Sequence, residues 1–172
     1  MSIYQLEQAV FRETKTTFVL TSFEEDIKAL TSLINQTQKE ICIFSHLLSP
    51  MIFDTEPVVS ACEKFCLKNH RTKINVLVDE TRPITRISHR LLGLSHRFSS
   101  SVFFKKTASD IPLREDDFVC FDKSAYFQLP HHQHYAGRCN FSDADRTSKL
   151  LVFFKEAWER SEPDIELRSI PL

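Results

Sequence analysis

The sequence predicts an α/β fold, in which helices flank a mixed sheet whose strands are mostly parallel. The short unbroken apolar run at residues 41–44 and the mostly apolar segment at 74–78 are typical of strands buried on both faces. Amphipathic segments with helical spacing lie between these runs, and such alternation of strands and helices favours parallel pairing. A chain of 172 residues has the size of one domain with a substantial core.

The first half of the chain supplies strand–helix pairs. Residues 18–21 predict a strand, and the spacing of Ser22 and Glu25 is that of a capping box at a helix start. Apolar residues at helical spacing continue this helix to about Gln38, just before the first of the apolar runs. A loop then leads into a second helix, which Pro57 marks at its first turn.

The second half continues the alternation and then changes it. Apolar residues recur every three or four positions between Pro83 and Phe98, which predicts one helix over this segment. A strand is expected at residues 102–104. The runs at 118–121 and 125–129 predict an antiparallel hairpin with a tight turn, followed by a polar loop.

An aromatic-rich helix closes the predicted domain. Ser142 or Asp143 is placed to cap its amino end, and its apolar residues extend to about residue 158. Because residues 1–17 precede the first predicted strand, we expect them to form a loosely attached N-terminal arm. Residues 18–172 are then expected to form the single domain.

Composition excludes several classes of protein. Two glycines in the whole chain leave no glycine-rich phosphate loop, and no apolar run approaches the ~18 residues of a membrane span. Without a leader-like amino end, the protein is expected in the cytoplasm and not inserted in a membrane. The five scattered cysteines predict buried free thiols, and the sequence predicts no metal centre and no cofactor.

Residues 115–160 have the motif spacing and the ending of a known type of repeat. If Asp122 is the Asp of an HxKxxxxD motif, Glu115 occupies the His position and Asp117 the Lys position. With the order of elements and an ending of the form Phe154-x-x-x-Trp158, the chain resembles one repeat of the phospholipase D superfamily. Three segments are also similar to an uncharacterised bacterial phospholipase D-like family: residues 89–92, 94–97 and 158–164.

This resemblance implies a layered sandwich of sheet and helices, and a homodimer, because single-repeat members of the superfamily pair their repeats. It also implies a His nucleophile and a phosphate-binding Lys, which Glu115 and Asp117 replace here. A glutamate cannot act as the imidazole nucleophile, and an aspartate repels phosphate, so we expect the motif to be degenerate and non-catalytic. Asp122 after a strand is expected to form a turn.

The charges are segregated along the chain. Residues 68–106 carry a net charge of +7, whereas the segments before and after them each carry −4. Asp79 and Glu80 follow a predicted strand at the sheet edge where α/β proteins bind ligands. Arginine suits bidentate phosphate contacts, so the nearby basic residues are candidates for anion binding or for internal ion pairs with Asp79, Glu80 or the acidic loop at 115–117. These candidates are Arg82, Arg86, His89, Arg90 and Arg97.

A second candidate site is the loop that contains His131, His132 and His134. These side chains, with Cys139 or Asp143, have the types required for metal binding or nucleophilic catalysis. The alternative is a surface loop that happens to be rich in histidine, since the sequence predicts no scaffold that fixes their geometry.

Three functions remain open at this stage. The favoured one is a non-catalytic phospholipase D-like module that binds a partner or a phosphorylated ligand as a homodimer. An enzyme of the phosphodiesterase or nuclease type, with a site rebuilt from the His and Arg candidates, is the first alternative. A nucleic-acid-binding protein that uses the basic middle third is the second.

Overall fold

The computed structural model describes residues 3–131 and 134–168, which form a seven-stranded sheet covered by helices. The seven helices are α1 (Ile3–Gln8), α2 (Phe23–Gln36), α3 (Pro50–Phe53), α4 (Glu56–Lys68), α5 (Arg82–Arg86), α6 (Arg90–Arg97) and α7 (Ala144–Arg160). The strands are β1 (Thr17–Leu20), β2 (Glu40–Ser45), β3 (Lys73–Val78), β4 (Val102–Lys106), β5 (Asp117–Phe121), β6 (Ala125–Leu129) and β7 (Gly137–Asn140). A 3-10 helix, Ile165–Leu167, follows α7.

The sheet has the order β1-β7-β6-β5-β2-β3-β4, and the α/β class with a mixed sheet is confirmed. Parallel pairing is confined to β2, β3 and β4, while the other four pairings are antiparallel. The sheet therefore contains more antiparallel pairing than the sequence predicts. The cause is β5, which runs antiparallel to β2 and continues into the β5–β6 hairpin, and this hairpin is confirmed.

Strand β7 lies in the segment for which the sequence predicts a polar loop. Its four residues, Gly-Arg-Cys-Asn, have no apolar run, and two of them disfavour strands. The strand forms because it pairs with β6 on one side and β1 on the other. Tertiary pairing thus overrides local propensity here.

The single helix predicted between Pro83 and Phe98 is interrupted, which corrects that expectation. Ser88 has a φ of 53°, in the left-handed region that ends helices, and α5 stops at Arg86. His89 then caps α6, because its Nδ1 accepts a hydrogen bond from the backbone N–H of Leu91 at 3.2 Å.

Helices α2 and α4 pack on one face of the sheet and α7 packs on the other. On the α7 face, Phe44 of β2 stacks on Phe118 of β5 at 5.4 Å between ring centroids, and Phe153 of α7 meets Phe44 edge-on at 5.3 Å. The caps of α2 and α7 form as predicted: Ser22 accepts from the N–H of Glu25, and Asp143 accepts from that of Arg146. No helix among the described residues is long and apolar enough to cross a membrane.

Residues near the amino end pack against the domain. Leu6 of α1 is completely buried, and the side chain of Gln36 in α2 bonds the backbone of Ala9 and Phe11. These residues are therefore part of the core rather than a loose arm. All five cysteines are free and buried, as the sequence predicts.

One acid lies inside the core without a partner. Asp26 of α2 is fully buried, and neither of its carboxyl oxygens has a hydrogen-bond partner within the described part of the chain. It lies against β7 so closely that a Cβ at Gly137 would be 3.0 Å from Asp26 Oδ1, which explains the glycine. Burial, reinforced by the charge of Glu25, raises the pKa of Asp26 to about 8.

We predict that Asp26→Asn stabilises the protein increasingly as pH rises. A carboxyl whose pKa is raised from 3.8 to about 8 on folding costs no ionisation energy below pH 4, and its cost grows until about pH 8. The difference in unfolding free energy between variant and wild type should therefore grow by roughly 1 kcal/mol per pH unit between pH 5 and pH 8. Urea unfolding at several pH values measures it.

The matched control is Glu24→Gln, an exposed acid in the same helical turn. This variant should show the pH dependence of the wild type. An equal difference between Asp26→Asn and wild type at pH 5 and pH 8 would show that Asp26 is ionised throughout.

Candidate functional site

A polar cluster lies at the sheet edge where β2 and β3 end. Ser45 is the last residue of β2, His46 follows it, and Asp79 follows the last residue of β3. Because β5 runs antiparallel to β2, its first residue, Asp117, lies opposite Ser45. Residues distant in sequence therefore meet at one edge, and His46 lies at their centre.

Each ring nitrogen of His46 is bonded to an oxygen that can only accept. Nδ1 lies 2.7 Å from Asp117 Oδ1, and Nε2 lies 2.6 Å from the backbone carbonyl oxygen of Arg114. Both nitrogens must donate in this arrangement, which requires the imidazolium form. The bond with Asp117 raises the pKa of His46 above its ordinary value, against the effect of burial, and Asp79 at 3.4 Å adds to the rise.

The carboxylate of Asp117 accepts three hydrogen bonds from the protein. Besides His46 Nδ1, it accepts from Ser45 Oγ at 2.5 Å and from the backbone N–H of His46 at 3.1 Å. Ser45 Oγ in turn accepts from the N–H of Leu48 at 2.9 Å. Asp117 therefore fixes the β2–α3 loop.

A second cluster continues along the same edge across β6, β7 and α7. Arg114 binds Asp116 through two hydrogen bonds of 2.7 and 2.8 Å, and its guanidinium lies over the rings of Phe118 and Phe153. Gln128 Nε2 donates to Asp116 at 2.7 Å. Burial opposes ionisation of Asp116, but the bonds from Arg114 and Gln128 outweigh it and lower its pKa.

Two further arginines converge on Gln128. Its Oε1 accepts from Arg138 Nε at 3.0 Å and from Arg146 NH2 at 2.9 Å. Within the described ranges, neither arginine has a carboxylate within 4.0 Å, and the buried Arg146 Nε has no partner. The cluster thus contains three guanidinium groups and one carboxylate, that of Asp116, which pairs with Arg114 alone, so it carries an excess of positive charge. We call Arg114, Asp116, Gln128, Arg138 and Arg146 the arginine cluster.

The three positions of the degenerate motif do not form one site. Glu115 is 85% exposed at the rim, 3.6 Å from His131. Asp117 and Asp122 lie at opposite ends of β5. Asp122 has a φ of 52°, and its carboxylate accepts the backbone N–H groups of residues 38–40 at 2.8 to 3.1 Å.

The basic candidates between residues 82 and 97 are also dispersed. Arg90 pairs with Asp54 and Glu56, and Arg97 pairs with Glu63. Internal ion pairs therefore form, but with acids at the α3–α4 segment rather than with Asp79, Glu80 or the acidic loop, which corrects the predicted partners. Arg82 and Arg86 are exposed.

His89 is not available to an anion. It is 1% exposed, its Nε2 bonds the carbonyl oxygen of Leu48, and its Nδ1 caps α6. Burial lowers its pKa, which disfavours the charged form that an anion site requires.

The histidine loop gives no metal-binding geometry in its described part. His131 is 66% exposed, its ring centroid is 6.0 Å from that of His134, and His132 lies outside the described residues. No group of three metal-ligating side chains converges among the residues described. Cys139 is buried in the core, where burial raises its pKa, and Asp143 caps α7.

Sequence reasoning missed His46 and the arginine cluster. His46 follows a buried strand as Asp79 does, so the strand-end rule that selected Asp79 applies to it equally. No comparable signal identified Arg138 and Arg146, because β7 itself was not predicted.

A family model described as "Domain of unknown function (DUF7931)" matches residues 22–170. No curated protein sequence matches the chain. Solved structures do, at 11–14% identity, and they show that the fold is phospholipase D-like.

Three of these structures illustrate the similarity. NucT from Helicobacter pylori aligns with 87% of this chain and 98% of its own, at 11% identity and a TM-score of 0.60. Phosphatidylserine synthase from Haemophilus influenzae Rd KW20 aligns with 99% of this chain and 44% of its own, at 11% identity and a TM-score of 0.62. TrmBL2, an archaeal chromatin protein with a novel mode of DNA binding, aligns with 94% and 58%, at 14% identity and a TM-score of 0.59. The chain thus spans less than two thirds of the latter two proteins.

We predict that Asp117→Asn lowers the pKa of His46. In the wild type, the ion pair between His46 and Asp117 stabilises the fold below pH 6.5. This contribution is lost as pH rises through the raised pKa of His46 in the folded protein. The variant should therefore lose more stability at pH 5.5 than at pH 9. NMR titration of the His46 Cε1–H signal, assigned with His46→Gln, measures the pKa directly.

Asp79→Asn provides the graded control, because Asp79 lies farther from His46 and contributes less to its pKa. It should lower the pKa by less than Asp117→Asn does. The opposite ranking would contradict the assignment of Asp117 as the main partner.

Proposed function

The chain belongs to the DUF7931 family, and we propose that it is a non-catalytic phospholipase D-like module that binds a phosphate-bearing ligand through the arginine cluster. The observation that carries this proposal is the convergence of Arg138 and Arg146 on one neutral acceptor, Gln128 Oε1. Two cations that share an uncharged oxygen are incompletely neutralised, and an anion stabilises both.

Phosphate is the anion that suits these donors. Each guanidinium offers several N–H groups in a planar fork, and Gln128 Oε1 occupies only one donor on each arginine. Charge-assisted bonds to phosphate oxygens would satisfy donors that the protein leaves unused.

The cluster around His46 supports the absence of catalysis. A phosphohistidine mechanism requires an imidazole nitrogen with a free lone pair, and both nitrogens of His46 donate to oxygens of the protein. Glu115 and Asp117 occupy the positions of the catalytic His and Lys of the motif. The dispersed His and Arg candidates give the enzyme alternative no common site, and the pairing of Arg90 and Arg97 with acids weakens the nucleic-acid alternative.

A homodimer completes the proposal. Leu113, beside Arg114, is 97% exposed, and Val19, opposite Arg138 in the sheet, is 65% exposed. A second copy that covers this edge would bury both apolar side chains next to the arginine cluster.

We predict that sedimentation equilibrium gives the mass of a dimer and that Val19→Lys with Leu113→Lys shifts the equilibrium to monomer. The control is Leu67→Lys with Val152→Lys, two exposed apolar residues on the outer surfaces of α4 and α7. If the wild type is monomeric at all concentrations, or if both pairs dissociate the dimer equally, the proposed interface is excluded.

We predict that inorganic phosphate shifts the side-chain Nε–H NMR signals of Arg138 and Arg146. Arg138→Gln or Arg146→Gln should each weaken phosphate binding about tenfold, the effect of losing one charge-assisted contact. The control is Arg97→Gln, which removes the same charge from an exposed ion pair on α6 and should change the affinity by less than about twofold. Equal weakening by all three variants would mean non-specific attraction.

The same preparation should not hydrolyse a chromogenic phosphodiester above the rate of the buffer. Turnover that disappears in His46→Gln or in His134→Ala would contradict the non-catalytic assignment, whatever the outcome of the phosphate titration.

A further inference from the structure

A groove follows the open edge of β4, far along the sheet from β7. It has a volume of about 830 Å³. Val102, Phe103, Phe104 and Lys105 are consecutive in β4 and all line it, although successive side chains of a strand point to opposite faces. The groove therefore runs along the strand edge rather than over one face.

The backbone of β4 has an unused position at the middle of this edge. Ile74 N donates to Ser101 O, and Thr107 N donates to Val78 O, each at 2.8 Å. These two hydrogen bonds set the register between the parallel strands β3 and β4. In this register the N–H and C=O groups of residues 103 and 105 point toward β3, and those of residues 102, 104 and 106 point away from it.

Two of the outward amides are bonded. Val102 N donates to Phe98 O at 2.9 Å, and Lys106 N donates to Glu162 O at 3.0 Å. Between them, the N–H and C=O of Phe104 have no hydrogen-bond partner in the described part of the chain. Such an edge position, with groups that point into a groove, is the requirement for adding a strand.

The lysines along the groove determine which kind of peptide strand can bind there. Lys73 lies over the ring of Phe103 and donates to Ser100 O, and Lys105 lies over the ring of Trp158 and donates to Trp158 O. Each ammonium keeps donors beyond that one bond. Neither lysine has a carboxylate within 4.0 Å among the described residues, and the one acid that lines the groove, Asp164, is bonded to Thr81.

We propose that this groove binds an extended segment of another protein, with alternating acidic and apolar residues, as an additional strand beside β4. The backbone of Phe104 pairs with the segment, and its acidic side chains meet Lys73 and Lys105 on one face of the sheet. Its apolar side chains alternate with them and lie on the other face, beside Val102 and Phe104. A second copy of this chain is disfavoured, because two β4 edges would bring four of these ammonium groups together without a carboxylate.

Trp158 is the single tryptophan of the chain, so its fluorescence reports on the groove. The probe is a five-residue peptide with Val and Glu in alternation, capped at both ends. We expect it to change the Trp158 emission saturably, whereas the matching peptide of Val and Lys does not. N-methylation of its central amides, which removes backbone donors without altering the side chains, should weaken binding about tenfold.

Lys73→Glu with Lys105→Glu should abolish binding of the Glu peptide and permit binding of the Lys peptide. The control is Lys106→Glu, an exposed lysine of the same strand outside the groove, which should change the affinity by less than about threefold. Equal affinity for the N-methylated peptide, or equal loss with Lys106→Glu, would overturn strand addition. Self-association of the wild type that Lys105→Glu abolishes would assign the groove to a second copy instead.

Discussion

The structure depends on the central position of β5, which is buried on both faces and along its whole length. A strand with no exposed residue leaves the polar groups at its two ends without access to water. The protein must therefore provide hydrogen-bond partners for them. Asp117 does so at one end, where it bonds Ser45 and His46, and Asp122 does so at the other, where it bonds three successive amides at the start of β2. The two aspartates therefore anchor β5 to β2 at both ends.

This constraint explains why the carboxylates of Asp117 and Asp122 are bonded within the protein. Asp117 could bind a cation or act as a base only if its oxygens were accessible, and they accept hydrogen bonds from Ser45 Oγ and from the backbone N–H of His46. The imidazolium form of His46 follows from the same bonds. Positive charge that remains unneutralised lies farther along the edge, on Arg138 and Arg146, where β7 and α7 meet around Gln128. The binding function is inferred at that position for this reason.

The sequence predicts those parts of the fold in which local pattern and tertiary structure agree. β2, β3 and the β5–β6 hairpin are apolar runs, and the caps of α2 and α7 are local hydrogen bonds. The sequence fails where an element is specified by its neighbours. β7 forms by pairing on both sides, and the break between α5 and α6 depends on the left-handed backbone of Ser88 and on a His89 ring bonded to a distant carbonyl. The arginine cluster combines residues of the loop before β5 with residues of β6, β7 and α7, so it could not be identified before β7 was known.

Helix α7 connects the two surfaces for which we infer ligands. Arg146 lies in its first turn and Trp158 in its last, so about 18 Å of helix separates the arginine cluster from the β4 groove. The helix is held between them by Phe153, which packs on Phe44 and Phe118 of the central strands. Sites this far apart that share no partner usually act independently, so contributions from the two surfaces should add. A partner that carries an acidic strand and a phosphate group at this spacing would gain affinity through effective concentration rather than through coupling within this domain.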